Sequence, residues 1–284
     1  MEHITLNNGV RMPLLGYGVY QSPGADTERC VLDALSVGYR LIDTAQAYFN
    51  EEGVGSALAH SGVPRQEVFV TTKVWVDNYG YEKTRASVLQ SLEKLSLDYL
   101  DLVLLHQPFS DYYGSYRALE ALYRKGLVKA IGVSNFYPDR LADLCAFNDV
   151  APQVNQVETH PLNQQIEAQK NMETRGVRIE AWAPFGEGRS DMFSHPVLVG
   201  IGQKYGKSVA QVILRWLVQR GVVALAKSVR IERMAENFAI FDFQLSPQDT
   251  EQIRALDTGK SLFFSHQDPA TVDFFVELIK TRRR

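Results

Sequence analysis

The sequence of 284 residues has few features of a secreted, membrane-spanning or nucleic-acid-binding protein. Its two cysteines, Cys30 and Cys145, lie in segments with a helical pattern, so we expect free thiols and a reducing compartment. The N-terminal segment lacks the basic and apolar regions of a signal peptide, and no apolar run approaches the length of a membrane span. Its 30 basic and 33 acidic residues give a net charge of -3, so no basic surface for nucleic acid is expected. We therefore expect a cytoplasmic protein without membrane or nucleic-acid partners.

Features that would divide the chain are also lacking. No linker, low-complexity segment or block of like charge marks a second domain, and a chain that is 45% hydrophobic can bury a sizeable core. We therefore expect one domain over residues 1–284. The three arginines at residues 282–284 are expected to form a short, solvated basic end.

Motifs of several other protein classes are incomplete. Gly16-Tyr17-Gly18 stops after two of the three glycines of a dinucleotide-binding loop. Residues 200–208 resemble a Walker A loop, but the glycine spacing is wrong and a helix is predicted directly before them, so we expect a turn between helices. His106 has no second His or Cys at ligand spacing, and His160 precedes Pro161 in a predicted loop, so no metal site is expected.

What the sequence does contain is a regular alternation of strand-like and helix-like segments. Residues 4–15 predict an N-terminal β-hairpin with a turn at residues 7–9. Eight strands are then predicted at residues 16–20, 40–43, 68–73, 100–106, 130–135, 154–156, 177–182 and 222–227. Amphipathic helices are predicted at residues 27–37, 51–61, 81–95, 115–125, 138–147, 164–175, 208–220 and 231–238, with a further helix at 196–204. This spacing of βα units predicts a (β/α)8 TIM barrel of the α/β class, with a doubly wound sheet as the alternative.

Polar or aromatic side chains end seven of the predicted strands. They are Asp43, Lys73, His106, Asn135, Gln156, Trp182 and Lys227. In a (β/α)8 barrel the C-terminal strand ends form the active site, so this pattern indicates an enzyme.

Three of these residues, with Tyr48 in the loop after Asp43, have the chemistry of carbonyl reduction. Lys73 beside Asp43 would form an ion pair, and its charge is expected to lower the pKa of Tyr48 so that Tyr48 acts as a general acid. His106 is expected to orient a carbonyl oxygen, and the hydride must come from a cofactor. Each residue alone has a structural alternative: a strand-end carboxylate, a solvated lysine, a packed loop tyrosine and a satisfied core histidine. Their occurrence together at successive strand ends favours the catalytic interpretation.

The sequence resembles the aldo-keto reductase superfamily over nearly its whole length. Residues 38–45 with Tyr48 resemble that family's first signature, and Lys73 and His106 complete its Asp-Tyr-Lys-His tetrad. The C-terminal signature is matched by residues 226–229, Arg233, Glu236 and Asn237. The segment 181–185 is similar to the prokaryotic branch that includes 2,5-diketogluconate reductases and glyoxal or methylglyoxal reductases.

The resemblance implies NADPH-dependent reduction of aldehydes or ketones, with Tyr48 as the acid, Asp43 and Lys73 tuning it, and His106 orienting the carbonyl. It also implies a set of cofactor contacts. Ser134, Asn135 and Gln156 would bind the nicotinamide carboxamide, and Trp182 would stack on the nicotinamide ring. The 2′-phosphate of the adenosine would be held by Lys227, Ser228 and Arg233. Glu236 and Asn237 would lie on the adenine side. Arg233 could instead belong to a solvated helix face. Ala226 stands where the family usually has proline, which would loosen that loop.

Aromatic residues are expected around the substrate. Tyr20, Trp75 and Phe109 would line the pocket beside His106, although all three could be ordinary packing aromatics. The last barrel helix is predicted to end at Gly259, and a tail over residues 258–284 follows. The resemblance implies that this tail forms a substrate loop over the active-site mouth, with packing on the outer helices as the alternative. A short helix at residues 273–280 is expected to anchor it.

Two other functional classes remain open. A reductase-like barrel could bind NADPH as a regulatory ligand for a partner protein, as channel-associated relatives of the family do, although the intact tetrad argues against this. A barrel hydrolase or isomerase without nicotinamide would show no quenching of tryptophan fluorescence by NADPH. The leading interpretation is a monomeric, NADPH-linked reductase of small carbonyl compounds such as methylglyoxal, aromatic aldehydes or keto-sugars.

Overall fold

A computed structural model describes residues 1–22 and 24–282, and it begins with the predicted hairpin. Strands β1 (His3–Thr5) and β2 (Arg11–Pro13) pair antiparallel, and Gly9 in the turn has a positive φ of 88°. The hairpin contacts the N-terminal ends of two later strands, because Thr5 accepts a hydrogen bond from Arg178 and the Asn7 side chain donates one to Pro152. It therefore covers the end of the barrel opposite the predicted site.

Eight parallel strands form a closed barrel, as predicted, and the doubly wound alternative is wrong. In chain order they are β3 (Leu15–Gly18), β4 (Leu41–Asp43), β5 (Phe69–Val74), β6 (Leu102–Leu105), β7 (Ile131–Ser134), β8 (Val154–Glu158), β9 (Arg178–Trp182) and β10 (Val223–Ala226). Each strand pairs with the next in sequence, and β10 closes the barrel on β3 with Ala224 opposite Leu15. All C-terminal strand ends therefore meet at one mouth.

Eight of the helices occupy the predicted βα positions. They are α1 (Gly24–Val37), α2 (Glu51–His60), α3 (Tyr81–Leu95), α4 (Tyr112–Arg124), α5 (Pro138–Ala146), α6 (Ile166–Glu173), α8 (Val209–Gln219) and α9 (Ile231–Phe238), with α7 (Pro196–Tyr205) inserted before α8. The start of α4 lies three residues before the predicted Ser115, because the Asp111 carboxylate caps the helix by accepting from Gly114 N. The start of α8 has a capping box between Ser208 and Gln211.

Only the last part of the segment that resembles a Walker A loop, residues 206–208, is the predicted turn before α8, because residues 200–205 belong to α7. Helix α7 ends at Tyr205, and Gly206, with φ +63°, supplies the left-handed residue that often follows a helix. The two cysteines are free thiols, with Cys30 buried and Cys145 half-buried. Within the described ranges, no helix combines the length and hydropathy needed to cross a membrane.

The C-terminal part differs from the prediction at one boundary. Helix α10 (Pro247–Arg254) ends five residues before Gly259, so the prediction that Gly259 terminates it is wrong. The capping box of Ser246 and Asp249 fixes the start of this short helix, and Gly259 takes its positive φ of 63° in the segment that follows. The terminal helix α11 (Pro269–Arg282) is longer than the predicted 273–280. Within the expected basic end, residues 283–284 lie outside the described residues.

Candidate active site

A buried ion pair lies inside the mouth of the barrel. Side chains alternate along a strand, so Asp43 at the end of β4 and Lys73 on β5 both project inward. Lys73 Nζ donates to Asp43 Oδ1 at 2.5 Å and to the Thr44 carbonyl oxygen at 3.1 Å. Lys73 is fully buried and Asp43 is 3% exposed. A buried charge is stable only when it is paired and hydrogen-bonded, and these two groups meet that condition together.

The hydroxyl of Tyr48 is the third member of this group. A single 3-10 turn, Gln46–Tyr48, carries it back over the end of β4, and its hydroxyl lies 3.4 Å from Lys73 Nζ. Burial raises the pKa of Tyr48 to about 12, although the Lys73 charge acts in the opposite direction. The expectation of a lowered pKa is therefore wrong for the protein alone, because desolvation of the phenolate outweighs the attraction to Lys73. Tyr48 keeps its proton at neutral pH.

His106 joins the group from the end of β6. Its ring lies edge-on to Tyr48, with 5.7 Å between centroids, and edge-on to Trp75 at 5.1 Å. The backbone of His106 is held on both sides, since its N–H donates to Val74 and its carbonyl accepts from the Asn135 side chain. The four predicted catalytic residues thus converge on one mouth.

Amide and hydroxyl groups form a second cluster beside the tetrad, at the ends of β7 to β9. Ser134 Oγ donates to the Gln156 carbonyl oxygen at 2.9 Å and accepts from Asn135 Nδ2 at 3.1 Å. Trp182 Nε1 donates to Asn135 Oδ1 at 2.9 Å. Asn135 has a φ of +65°, a conformation that asparagine tolerates better than most residues. All four residues were predicted together as a nicotinamide site, and the structure places them together.

Gln156 links this cluster to the ion pair and to a residue absent from the predicted site. Its amide nitrogen donates to Asp43 Oδ2 at 3.0 Å and to Glu180 Oε2 at 2.9 Å. Glu180 is fully buried, and burial together with the Asp43 charge raises its pKa to about 8. The sequence feature that could have identified Glu180 is its position in the strand. It stands two residues before Trp182 on β9, so both side chains face the inside of the barrel.

An exposed basic corner lies where β10 leads into α9. Lys227 and Arg233 are exposed, and Ser228 is half-buried. Ser228 is fixed through its backbone, because its carbonyl accepts from the buried Tyr17 hydroxyl at 2.6 Å. Farther along α9, Glu236 is exposed and Asn237 is buried. The predicted phosphate-side residues therefore lie on one continuous stretch of chain, from the end of β10 through α9.

Aromatic side chains line the opening above the tetrad. The Tyr20 ring lies 5.0 Å from that of Tyr48, and Trp75 contacts His106 directly. Phe275, from the tail helix α11, packs against both Trp75 at 5.8 Å and Phe109 at 5.5 Å. Tyr20 and Trp75 therefore contact members of the tetrad directly, and Phe109 is linked to Trp75 through Phe275.

The C-terminal tail crosses this opening instead of packing only on the outer helices. Glu158, at the end of β8, accepts from Ser261 Oγ at 2.5 Å and from the Leu262 N–H at 2.8 Å. Phe263 then packs against Trp182, with 4.9 Å between ring centroids. Farther on, the buried His266 ring bonds to Gln107 Oε1 at 2.8 Å. Burial lowers the pKa of His266 to about 4, so its ring is neutral at neutral pH.

Comparisons with known proteins agree with this geometry. Residues 15–258 match the Aldo/keto reductase family. Glyoxal reductase of Bacillus subtilis (strain 168) is 47% identical over 258 residues, which cover 90% of this chain and 93% of that protein. Methylglyoxal reductase DkgA of Escherichia coli (strain K12) is 42% identical over 262 residues, covering 91% of this chain and 94% of that protein. The crystal structure of a Bombyx mori aldo-keto reductase in complex with NADP aligns with this chain with a TM-score of 0.89 and 30% sequence identity. The alignment covers 96% of this chain and 96% of that chain.

Proposed function

Because this chain belongs to the aldo/keto reductase family, we propose that it reduces aldehydes and ketones to alcohols with NADPH. The observation that carries this proposal is the contact of Lys73 with both Asp43 and the Tyr48 hydroxyl at an aromatic-lined mouth. A proton donor next to a fixed positive charge suits a reaction that adds a proton to a carbonyl oxygen.

The residues at the mouth fit a nicotinamide cofactor. The amide nitrogen of Gln156 already donates to two carboxyl groups, which leaves its oxygen to accept from a carboxamide N–H. Ser134 and Asn135 add further polar groups beside it, and Trp182 supplies an aromatic face. When bound, NADPH supplies the hydride for the carbonyl carbon.

The exposed basic corner fits the other end of the same cofactor. Lys227 and Arg233 offer positive charge to a 2′-phosphate, and Ser228 offers a hydroxyl between them in sequence. Glu236 and Asn237 on α9 would lie on the adenine side. This arrangement gives a reason for preferring NADPH over NADH, since only NADPH carries the additional phosphate.

The proton for the product alcohol comes from Tyr48. Its hydroxyl gives a proton to the carbonyl oxygen while the carbon receives hydride, so the C=O group gains two electrons and two hydrogens. The resulting phenolate faces Lys73, and solvent restores its proton. Burial alone would lower the pKa of Lys73, but Asp43 and Tyr48 raise it overall, so Lys73 stays charged. His106 donates to the carbonyl oxygen and orients it.

Small carbonyl compounds suit the opening. Tyr20, Trp75 and Phe109 supply an aromatic wall beside the polar groups of the tetrad, as in many pockets for small molecules. We propose methylglyoxal, aromatic aldehydes and keto-sugars as the compounds to test, since two relatives are named for glyoxal and methylglyoxal reduction. The proposed groups all come from one chain, so we also propose that a monomer of one domain is sufficient.

Replacing Tyr48 with phenylalanine tests the proton donor. The change keeps the ring and removes the hydroxyl, so kcat for methylglyoxal reduction should fall roughly a hundred- to ten-thousand-fold. Binding of NADPH, measured by quenching of tryptophan fluorescence, should survive. Tyr123→Phe is the matched control, because that hydroxyl contacts Asn8 of the N-terminal hairpin. A Y48F variant with more than about half of wild-type turnover would refute the assignment, since loss of a general acid costs far more.

A further inference from the structure

Glu180 is a buried carboxyl group to which the reaction above gives no role. It stands in the middle of the mouth's polar network, fully buried on β9. Its Oε2 accepts from Gln156 Nε2, and the same nitrogen donates to Asp43. Its other oxygen, Oε1, is buried and has no hydrogen-bond partner among residues 1–22 and 24–282. A chain of contacts therefore runs from Glu180 through Gln156, Asp43 and Lys73 to the Tyr48 hydroxyl.

In this network the positive charge of Lys73 is already paired with Asp43, so it does not also neutralise Glu180. Within the described part of the barrel, the ionisable groups that face it are Asp43 from β4 and Lys73 from β5. Lys73 bonds directly to Asp43, whereas Glu180 reaches the pair only through the neutral amide of Gln156. Ionising both carboxyl groups would leave one uncompensated negative charge in the barrel interior, which is costly. Asp43 is therefore the ionised partner and Glu180 the neutral one.

We propose that Glu180 is a positioning residue of carbonyl reduction, which in its neutral form orients the Gln156 amide and keeps the Asp43–Lys73 pair free of a second negative charge. This proposal rests on the proposed function. Glu180 touches neither the substrate nor the proposed cofactor, so it acts through Gln156 and through the charge at Tyr48. Burial and the neighbouring Asp43 raise the pKa of Glu180 to about 8, which agrees with a neutral group at neutral pH.

The position of Glu180 affects both the orientation of the Gln156 amide and the acidity of Tyr48. With both N–H groups of Gln156 held by carboxyl oxygens, the amide oxygen is fixed in the direction proposed for the nicotinamide carboxamide. Ionisation of Glu180 at higher pH would add a second negative charge beside the Asp43–Lys73 pair, which would weaken the effect of the Lys73 charge on Tyr48 and make the Tyr48 phenolate less stable. Tyr48 would then be a weaker acid, so reduction should slow as the pH rises through the pKa of Glu180.

Two substitutions separate the hydrogen bond from the charge. Glu180→Met removes the acceptor, so NADPH should bind more weakly and kcat/KM should fall about tenfold or more, since a misplacement of about 1 Å in a site can cost roughly a hundredfold. Glu180→Gln keeps an oxygen that can accept from Gln156 but cannot ionise, so it should restore most of the activity that E180M loses. Its alkaline decline in kcat/KM should lie at least about one pH unit above that of the wild type.

Glu158→Gln is the matched control for the loss of a buried carboxylate at the mouth. Glu158 lies two residues after Gln156 on β8, but it bonds to His160 and to the tail. This variant should leave the alkaline decline at the wild-type pH. Substrate ranking can change in it without affecting the comparison, because the measured quantity is the position of the pH transition.

The pH dependence of stability gives a measurement that needs no cofactor. The pKa of Glu180 is raised in the fold, so the native state binds its proton more tightly than the unfolded chain, and this contribution is lost as pH rises from about 4 to about 8. The Tm of the wild type should therefore fall more steeply between neutral and mildly alkaline pH than the Tm of E180Q. The pKa of Glu158 is lowered, mainly by bonds from His160 and Ser261 that outweigh its burial, so E158Q should retain the wild-type slope in that range.

The outcomes distinguish this proposal from the function on which it rests. If wild-type and E180Q proteins share the same alkaline decline in kcat/KM, the proposed role of Glu180 is wrong even though reduction occurs. If the Tm slopes of these two proteins are also equal, Glu180 is not the neutral group of the pair. Absence of NADPH-dependent reduction by the wild type at any pH would refute the proposed function and the role of Glu180 within it.

Discussion

The two lysines proposed to serve the reaction occupy opposite environments. Lys73 is fully buried and bonded to Asp43 and Thr44, whereas Lys227 is exposed at the rim with one long contact of 3.5 Å to the Gln21 carbonyl oxygen. At low effective dielectric the first charge interacts strongly with its partners, and salt in solution screens the second. The buried lysine therefore acts through a fixed geometry, and the exposed one through attraction that depends on ionic strength. Substitutions in the buried and the exposed region should therefore have different effects.

The largest effect is expected from Lys73→Met. The variant would leave Asp43 as an uncompensated buried charge, and breaking a buried pair in this way typically costs about 3–5 kcal/mol of stability. It would also remove the cation facing Tyr48, so kcat should fall roughly a hundred- to ten-thousand-fold. Urea unfolding and steady-state reduction of methylglyoxal measure the two losses.

Lys170→Met is the control with the same chemical change at the surface. Lys170 pairs with Glu167 three residues earlier on α6, and both side chains are well exposed. Exposed pairs of this kind contribute about 0–1 kcal/mol, so this variant should resemble the wild type. Equal loss of stability in K73M and K170M would show that burial does not distinguish the two environments.

A smaller effect is expected at the exposed corner from Arg233→Ala. Its side chain is exposed on α9, so the variant should fold normally and raise the apparent KM for NADPH by roughly tenfold, as for loss of one charge-assisted hydrogen bond. The KM for NADH should change little, because NADH lacks the 2′-phosphate. Added salt should weaken NADPH binding more than NADH binding.

Arg254→Ala removes an equal charge from another helix, α10, where Arg254 is exposed and paired with Glu251. It should leave the NADPH to NADH preference unchanged. Should R233A reduce the binding of both cofactors equally, Arg233 would not be a phosphate ligand.

The buried and exposed regions also differ in how far the sequence predicted them. Asp43, Lys73 and His106 could be identified because a polar group at the end of an apolar strand stands out and barrel topology places all such ends together. Glu180 could not be identified in the same way, because it lies inside a strand and only its register with Trp182 shows that it faces inward. Its proposed role depends on Gln156 and Asp43, which belong to other strands.

The pKa of a buried group was harder to predict from the sequence than the position of its side chain. The sequence correctly indicated that Lys73 would face Tyr48. The direction in which the pKa of Tyr48 shifts depends on how much solvent the fold removes from the phenolate, and the effect of burial outweighs that of the lysine.

The end of α10 was also predicted at the wrong residue, because it depends on contacts that form only in the fold. Gly259 is a typical helix stop, but the helix ends earlier and the Thr258 backbone N–H bonds to Leu162 in the loop after β8. Such long-range contacts have no local sequence signal.

The smallest effect is expected in the tail, where two adjacent phenylalanines provide a comparison. Phe275 is 6% exposed and packs on Trp75 and Phe109, whereas Phe274 is 58% exposed. Phe275→Ala should open space above the tetrad and raise kcat/KM for a bulky aromatic aldehyde relative to methylglyoxal by roughly fivefold, the low end of what pocket volume changes give. Phe274→Ala should leave this ratio unchanged, and NADPH binding should be the same in both. The ratio of the two kcat/KM values cancels any loss of active protein, so it isolates the shape of the pocket. An F275A variant with the wild-type ratio would show that the tail covers the opening without contributing to substrate choice.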